Sequence, residues 1–207
     1  MTTLVNYWPL DEASGSSVTD TVGGLVGIVA DDPDDLTIVP AKFGNGRDTG
    51  AVAGITSVQF HSGDNDSTYR LAQWSVSFWV HISDTPAENS PNIFNIGRYY
   101  SSFDYPEFTQ VFVYGNKSQS QLYVDVYGGT SDIFTTHEQI GFDWHAQHHI
   151  VITGDGANVC VYLDGVKIQD VACDAELTPK HQSSMASPTG NVHAIFDDIA
   201  IWNVAMN

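Results

Sequence analysis

The stretch from Trp144 to Asp170 reads WHAQHHIVITGDGANVCVYLDGVKIQD, and it decides the fold. Three apolar runs, beginning at Ile150, Val159 and Val166, are separated first by Gly-Asp-Gly and then by Asp164-Gly165. Asp-Gly between two β-rich runs is a strong hairpin signal, because a type I′ turn needs positive φ at both central residues and these two residue types tolerate it. The stretch therefore predicts a three-stranded antiparallel meander.

Short strands separated by turn residues are predicted along the rest of the chain. The clearest is Trp74 to Ile82, where apolar side chains alternate with Ser75, Ser77, Trp79 and His81 in the period of two that a core strand shows. The others are Leu4 to Leu10, Leu25 to Val29, Leu36 to Val39, Ser57 to Phe60, Ile93 to Ile96, Val111 to Tyr114, Leu122 to Tyr127 and Val192 to about Asn203. No stretch has a helical period. We predict an all-β, two-sheet antiparallel β-sandwich (jelly roll), with residues 1–207 as a single domain.

The charge of the chain excludes several kinds of partner. Its 207 residues include 25 acidic and 7 basic ones, for a formal net charge of -18. A field of this sign repels nucleic acid and anionic membranes. No apolar run approaches the roughly 18 residues of a membrane span. We therefore expect neither a nucleic acid nor a membrane as partner.

The cysteines and the start of the chain bear on where the protein is made. A two-residue turn at Asp164-Gly165 would place Cys160 opposite Gln169, so Cys173 lies out of register for a bridge and both cysteines are predicted to be free thiols. Met1-Thr2-Thr3 lacks the basic and apolar regions of a signal peptide. We therefore expect the protein to be made in the host cytoplasm, without a signal peptide.

Three histidines, His145, His148 and His149, look like a metal cluster at first sight. Neighbouring residues of a strand point to opposite faces, so His148 and His149 cannot readily share one ion. The prediction for these histidines is a structural or surface role.

Six segments, in this order, resemble the laminin G-like, concanavalin A-like jelly-roll superfamily, particularly its microbial and phage branch. They are Tyr7 to Glu12 with Ser14-Gly15, Asp20 to Gly24, Trp74 to Val80, Trp144 with His148 to Val151, Val161 to Gly165, and Phe196 to Asn203. The resemblance covers nearly the whole chain. One departure is the interrupted Trp144-His145-Ala146-Gln147-His148-His149, since many relatives place Trp directly before His-His.

The resemblance implies two antiparallel sheets, adjacent first and last strands, and frequently one structural calcium ion. It implies no reaction, because this fold hosts lectins, adhesion modules, viral decorations and glycosidases. Its catalytic version resembles Glu-x-Asp-x-x-Glu on one strand, and this chain has nothing of that form. We therefore predict no catalytic residues and no enzyme activity.

Asp20 and Asp197 are the main candidate metal ligands. In strand phase Asp197 lies with Ile199 and Ile201, on an otherwise apolar face, and a buried carboxylate there needs hydrogen-bond donors or a cation. The resemblance places Asp20 beside Asp197, and two carboxylates with nearby backbone carbonyls would suit Ca²⁺. Asp198, opposite in phase, is a further candidate. The alternative is that Asp197 accepts hydrogen bonds from backbone amides without a metal.

Four aromatic residues in a predicted loop, Tyr99, Tyr100, Phe103 and Tyr105, are the candidate binding residues. Exposed aromatic rings of this kind stack on sugars or anchor partner proteins. The alternative is that these rings cover the edge of the sandwich.

Two uses of such a non-enzymatic module are open. The first is a phage or virion surface component, a capsid decoration or tail-associated protein that contacts other virion proteins and a surface glycan. A decoration protein of this kind would form a symmetric assembly such as a homotrimer, although no residue pattern reports one. The alternative is an extracellular carbohydrate-binding or adhesion module excised from a larger secreted protein.

Overall fold

The computed structural model describes residues 3–14, 17–30, 37–49, 57–60, 70–83, 92–96, 110–116, 121–127, 134–138, 142–143, 145–177, 183–185 and 193–206. Its strands are β1 Leu4–Trp8, β2 Ser17–Thr19, β3 Val26–Ala30, β4 Thr37–Pro40, β5 Asn45–Asp48, β6 Ser57–Phe60, β7 Trp74–Ile82, β8 Asn92–Ile96, β9 Gln110–Asn116, β10 Gln121–Tyr127, β11 Phe134–Glu138, β12 Gln147–Gly154, β13 Asn158–Leu163, β14 Val166–Ala172, β15 Ser183–Met185 and β16 Ala194–Trp202. In these ranges no helix is long and apolar enough to cross a membrane.

The strands form two eight-stranded sheets. Sheet A has the order β14-β13-β12-β7-β16-β5-β4, with β1 also paired to β16, and sheet B has the order β11-β10-β9-β8-β15-β6-β3-β2. Neighbouring strands are antiparallel. The prediction of an all-β antiparallel sandwich is confirmed, and the first and last strands are adjacent, as the resemblance implies.

The core lies between the two sheets and is clearest along β7. Val76, Phe78, Val80 and Ile82 are at most 1% exposed, whereas Trp79 and His81, which point away from the core, are half-buried. Phe78 stacks on the ring of Phe94 in sheet B, with centroids 4.2 Å apart. Burying each such side chain contributes about 1.5–3 kcal/mol, so β7 anchors sheet A to sheet B.

The Asp164-Gly165 hairpin forms as predicted. Both residues have positive φ, 52° and 80°, and Leu163 faces Val166 across the turn. A bulge next to Val161 then adds one residue to β14, so Cys160 faces Asp170. The predicted pairing of Cys160 with Gln169 is therefore wrong by one residue, but both cysteines are free, as predicted.

Four strands were not predicted: β2, β5, β11 and β15. They are three to five residues long, and β5, with the sequence NGRD, contains no apolar side chain. Such strands take their hydrogen-bond partners from neighbouring strands and carry no local pattern of their own.

On one side of the last strand, β16, the neighbouring strand is β5 along its first half and β1 along its second half. Ile195 and Phe196 pair with β5, and Ile199 to Trp202 pair with β1. Asp197 and Asp198 lie at the changeover, where the register against β7 also shifts and Asp198 has φ 49°. A bulge at this point of sheet A creates the site described next.

Candidate functional site

The bulge in β16 moves Asp197 out of the core. Asp197 lies opposite Trp79 of β7, on the outer face of sheet A, whereas Ile199 and Ile201 are 0% exposed and point inward. The prediction that Asp197 shares a face with these isoleucines is wrong, because one extra residue between positions 197 and 200 inverts the strand phase.

The Asp197 carboxylate is buried, and its two oxygens have different surroundings. Its Oδ2 accepts from the Phe43 backbone N–H at 2.8 Å, and its Oδ1 has no hydrogen-bond partner among the described residues. Asp197 is 1% exposed. Burial raises the pKa of Asp197 to about 6. The backbone N–H groups of Phe43 and Asp198 oppose this shift, and the charges of Asp198 and Asp11 add to it.

Tyr7 of β1 holds the neighbouring carboxylate. Its hydroxyl group donates a hydrogen bond to Asp198 Oδ1. The pKa of Tyr7 is raised, first by burial, then by that hydrogen bond and by the charges of Asp198, Asp197 and Asp11. Three carboxylates therefore act on one phenol at this end of β1, and the local field is negative.

Aromatic rings and one cation gather around Trp79. His149 of β12 stacks on it at 4.7 Å with an interplanar angle of 19°, and Phe43 meets it edge-on at 6.0 Å. The Lys42 ammonium lies 4.5 Å from the centroid of the Trp79 ring, within cation–π range. Burial lowers the pKa of His149, which favours its neutral form. We call this group the Trp79 cluster: Lys42, Phe43, Trp79, His149, Asp197 and Asp198.

The β4–β5 turn, residues 41–44, brings Lys42 and Phe43 to the cluster. Gly44 has φ 72°, and Ala41 N–H donates to its carbonyl at 3.2 Å. Asp11 Oδ1 accepts from Asn45 N–H at 2.8 Å, and a Cβ at Gly44 would overlap that same oxygen. Gly44 is therefore required twice, for its backbone conformation and for the close approach of Asp11.

Asp20 lies in a different environment. Its carboxylate is 2% exposed and is surrounded by N–H donors. Oδ1 accepts from the backbone of Tyr7 (2.8 Å), Val22 (2.9 Å) and Gly23 (2.8 Å), and Oδ2 from the side chain of Asn6 (2.6 Å) and the backbone of Leu25 (3.3 Å). This carboxylate closes the bend between β2 and β3 and ties it to β1.

The arrangement at Asp20 does not fit a calcium ligand. Both oxygens face hydrogen-bond donors, so a cation there would meet N–H dipoles of the wrong sign. Among the residues that the structure describes, Asp20 and Asp197 share no hydrogen-bonding group. The Tyr7 backbone N–H binds Asp20, and the Tyr7 hydroxyl group binds Asp198. Among the described residues, no group of three His, Cys, Asp or Glu side chains could hold a metal. Calcium binding stays a prediction.

The two adjacent histidines point to opposite faces, as predicted. His148 is buried, with Nδ1 2.7 Å from Asp164 Oδ2 and Nε2 3.0 Å from the Asp143 carbonyl oxygen. His149 lies on the outer face against Trp79. His148 therefore links the hairpin turn at Asp164 to Asp143, which lies before β12. His149 belongs to the Trp79 cluster.

The predicted binding residues Tyr99, Tyr100, Phe103 and Tyr105 lie outside the described residues, as does Trp144. Sequence reasoning missed Trp79 and Phe43 as site residues. One signal was available for Trp79, because it is a large aromatic residue on the polar face of an alternating strand, between Ser77 and His81. For Phe43 there was none, since its contact with Trp79 depends on the turn.

Solved structures similar to this chain share its fold at low identity. A Trypanosoma rangeli sialidase, in complex with 2,3-difluoro-KDN, matches with a TM-score of 0.70 and 16% identity over 99% of this chain and 31% of its own. Domain 4 of AbnA, an extracellular GH43 arabinanase from Geobacillus stearothermophilus, in complex with arabinotriose, matches with a TM-score of 0.69 and 14% identity over 100% of this chain and 95% of its own. The binding domain of botulinum neurotoxin serotype D matches with a TM-score of 0.70 and 13% identity over 99% of this chain and 49% of its own.

Sequence comparison gives the family. No curated protein matches the chain. The model of the laminin G-like family described as the concanavalin A-like lectin/glucanases superfamily matches residues 53–207, which is most of the chain and includes Trp79, Asp197 and Asp198. The chain belongs to the concanavalin A-like lectin/glucanases superfamily.

Proposed function

We propose that this chain is a non-enzymatic glycan-recognition module that binds a saccharide at the Trp79 cluster. The observation that carries the proposal is the grouping, on the outer face of sheet A, of aromatic rings with two carboxylates. Aromatic rings pack on the apolar faces of sugar rings, and carboxylates accept hydrogen bonds from their hydroxyl groups.

Two of the matched structures were solved with a sugar or a sugar analogue. Domain 4 of the arabinanase is matched over 95% of its length and is solved with arabinotriose, and the sialidase is solved with a sugar analogue. Because these structures are only 14% and 16% identical to this chain, they show only that the fold is shared. The proposed ligand class for this chain therefore rests on its own Trp79 cluster.

Binding without cleavage is the second part of the proposal. Glycoside hydrolysis uses two carboxyl groups about 5–10 Å apart on either side of the scissile bond. Here Asp198 is bound by Tyr7, and Asp197 lies beneath the surface with one oxygen on the Phe43 amide. Both are consecutive residues of one strand, so they do not flank a cleft.

We also propose a setting for the module. The chain spans 31% of the sialidase chain and 49% of the toxin chain that it matches, and it matches 95% of one domain of an extracellular arabinanase. These matches support the proposal of a recognition module within a larger extracellular protein. The predicted virion location stays a prediction, and the identity of the neighbouring genes is its test. Capsid and tail genes on both sides would support it.

The test of glycan binding compares two tryptophans. Wild type, Trp79→Ala and Trp202→Ala are applied to a glycan array and titrated calorimetrically with the best ligand, starting from arabinotriose. Trp202 is the matched control, because it is half-buried on the same face of sheet A but lies opposite Ser75, outside the cluster. We expect Trp79→Ala to weaken binding about tenfold to a hundredfold and Trp202→Ala to leave it unchanged.

Two results would contradict the proposal. One is the absence of any glycan signal at high protein concentration, and the other is glycan binding that Trp79→Ala leaves unchanged. Release of reducing ends from the bound glycan, followed by chromatography, would contradict the non-enzymatic part alone.

A further inference from the structure

We infer that the saccharide of the Trp79 cluster is uncharged, and that it binds when the β4–β5 turn lifts and one of its hydroxyl groups donates a hydrogen bond to Asp197 Oδ1. This inference rests on the proposed function and adds a ligand class and a moving part to it. Three observations carry it: the charge around Tyr7, the unpaired oxygen of Asp197, and the contacts of residues 41–44.

The charge at the site disfavours an anionic ligand. Asp11, Asp197 and Asp198 all act on Tyr7, and one cation, Lys42, lies over the Trp79 ring. The chain as a whole carries a formal net charge of -18. A sialylated, sulfated or uronic sugar would enter this field against repulsion, whereas a neutral sugar would not.

Asp197 Oδ1 needs a donor that the described residues do not supply. The residue is 1% exposed, and a buried acceptor without a hydrogen-bond partner destabilises the folded protein. A sugar hydroxyl group is a donor of suitable size, and the carboxylate of an acidic sugar is not. The oxygen therefore favours a hydroxyl-rich ligand.

Residues 41–44 contact the Asp197 carboxylate and the Trp79 ring. The Phe43 N–H binds Asp197 Oδ2, the Phe43 ring meets Trp79 edge-on, and the Lys42 ammonium lies over the indole. The turn is nonetheless exposed: Phe43 is 54% exposed, and Lys42 is an exposed, flexible side chain. An exposed cation–π contact is weak, so a saccharide can displace it.

The first experiment tests the ligand class on paired glycans. An array carries neutral oligosaccharides and, on the same backbones, their sialylated, sulfated and uronic counterparts. We expect binding to neutral members and at least about tenfold weaker binding to each charged counterpart. Preference for charged members, with binding still lost in Trp79→Ala, would overturn this inference and leave the proposed function standing. No binding to any member would overturn both.

The second experiment tests whether the β4–β5 turn covers the binding site, and it compares substitutions of two lysines. Lys42→Ala removes the side chain from the indole, and Lys167→Ala is the control, since Lys167 is an exposed lysine paired with Asp170 on the edge strand β14. With the best neutral glycan, we expect Lys42→Ala to bind about twofold to fivefold more tightly and Lys167→Ala to bind as wild type. Weaker binding by Lys42→Ala would show that Lys42 contacts the ligand, and it would overturn the inference that the β4–β5 turn covers the binding site.

The third experiment tests the acceptor. Asp197→Asn puts an amide in place of the charged carboxylate, and Asp170→Asn, an exposed position, is the control with the same change in charge. We expect Asp197→Asn to bind the neutral glycan about tenfold more weakly, because a hydrogen bond to a charged acceptor is lost. Thermal unfolding shows in parallel that the variant is folded. Unchanged affinity in a folded Asp197→Asn would overturn the role of Oδ1.

Discussion

Asp20 and Asp197 are both almost fully buried in this sandwich, and their surroundings differ. Asp20 is 2% exposed and receives five N–H donors, three on one oxygen and two on the other. Asp197 is 1% exposed and receives the Phe43 N–H on Oδ2, with Oδ1 unpaired among the described residues. The same side chain thus meets a complete set of donors in one place and an incomplete one in the other.

The difference separates a structural carboxylate from a functional candidate. The donors around Asp20 hold β1, the bend at 21–25 and the start of β3 together, so its charge stabilises the fold. Asp197 is kept charged at neutral pH at a cost in stability, and the raised pKa reports that cost. Uncompensated buried charge of this kind is typical of binding and catalytic sites.

The largest effect is expected at Asp20. Asp20→Asn replaces an acceptor oxygen by an NH₂ group that would face N–H donors, so we expect the free energy of unfolding to fall by about 2–4 kcal/mol at pH 7. Urea unfolding followed by tryptophan fluorescence measures it. Asp155→Asn, an exposed turn position, is the control. A loss no larger than the control's would remove the contrast between the two buried aspartates.

The same substitution at Asp197 is expected to act in the opposite direction. The pKa of Asp197 is about 6 in the folded chain, against 3.8 for an ordinary aspartate, so between these values the unfolded state binds fewer protons than the folded state. Stability due to this group is therefore highest below pH 3.8, falls as the pH rises to about 6, and stays low above it. Asp197→Asn should stabilise the chain by about 1–3 kcal/mol at pH 7.

A pH series of urea unfolding curves measures this difference. The gain from Asp197→Asn should shrink as the pH falls from 7 towards 4, since the wild-type carboxyl group becomes protonated in the folded state. A gain that is independent of pH would show that the carboxylate is not penalised by burial, and destabilisation at pH 7 would show that its charge is compensated as at Asp20.

Tyr7→Phe sharpens the contrast within the outer-face site. It removes the hydroxyl group that donates to Asp198 and leaves the Tyr7 backbone N–H on Asp20 in place. We expect a loss of about 1 kcal/mol in the free energy of unfolding, smaller than that of Asp20→Asn. Thermal unfolding of both variants gives the comparison. A loss equal to that of Asp20→Asn would mean that Asp198 is a structural carboxylate of the same kind.

Calcium is expected to have the smallest effect. Because the Asp20 oxygens already accept five N–H donors, millimolar calcium should shift the melting temperature of the wild type by no more than about 1 °C relative to magnesium. Differential scanning fluorimetry with each ion, after treatment with a chelator, measures the shift. A calcium-specific rise of several degrees that Asp20→Asn removes would restore the predicted metal site.

Local pattern was enough to predict most strands. The β7 strand, Trp74–Ile82, and the β6 strand, Ser57–Phe60, have the predicted bounds, because alternation and turn residues are short-range signals. The short polar strand β5 was missed, since its pairing with β4 and β16 supplies what its sequence lacks. In the site, Asp197 and Asp198 were singled out by sequence, and a backbone amide donor to Asp197, the stated alternative to calcium, is present at Phe43. The face of the strand on which Asp197 lies was predicted incorrectly.

The sequence by itself determined the fold class, the Asp164-Gly165 turn, the two free cysteines and the opposite directions of His148 and His149. These depend on residues within a few positions of one another. Only the tertiary structure decided where Asp197 points, that the Phe43 N–H binds it, and that Phe43 and His149 both contact Trp79. The physical reason is that one extra residue in β16 reverses the face of a strand, and its position is fixed by the change of partner from β5 to β1.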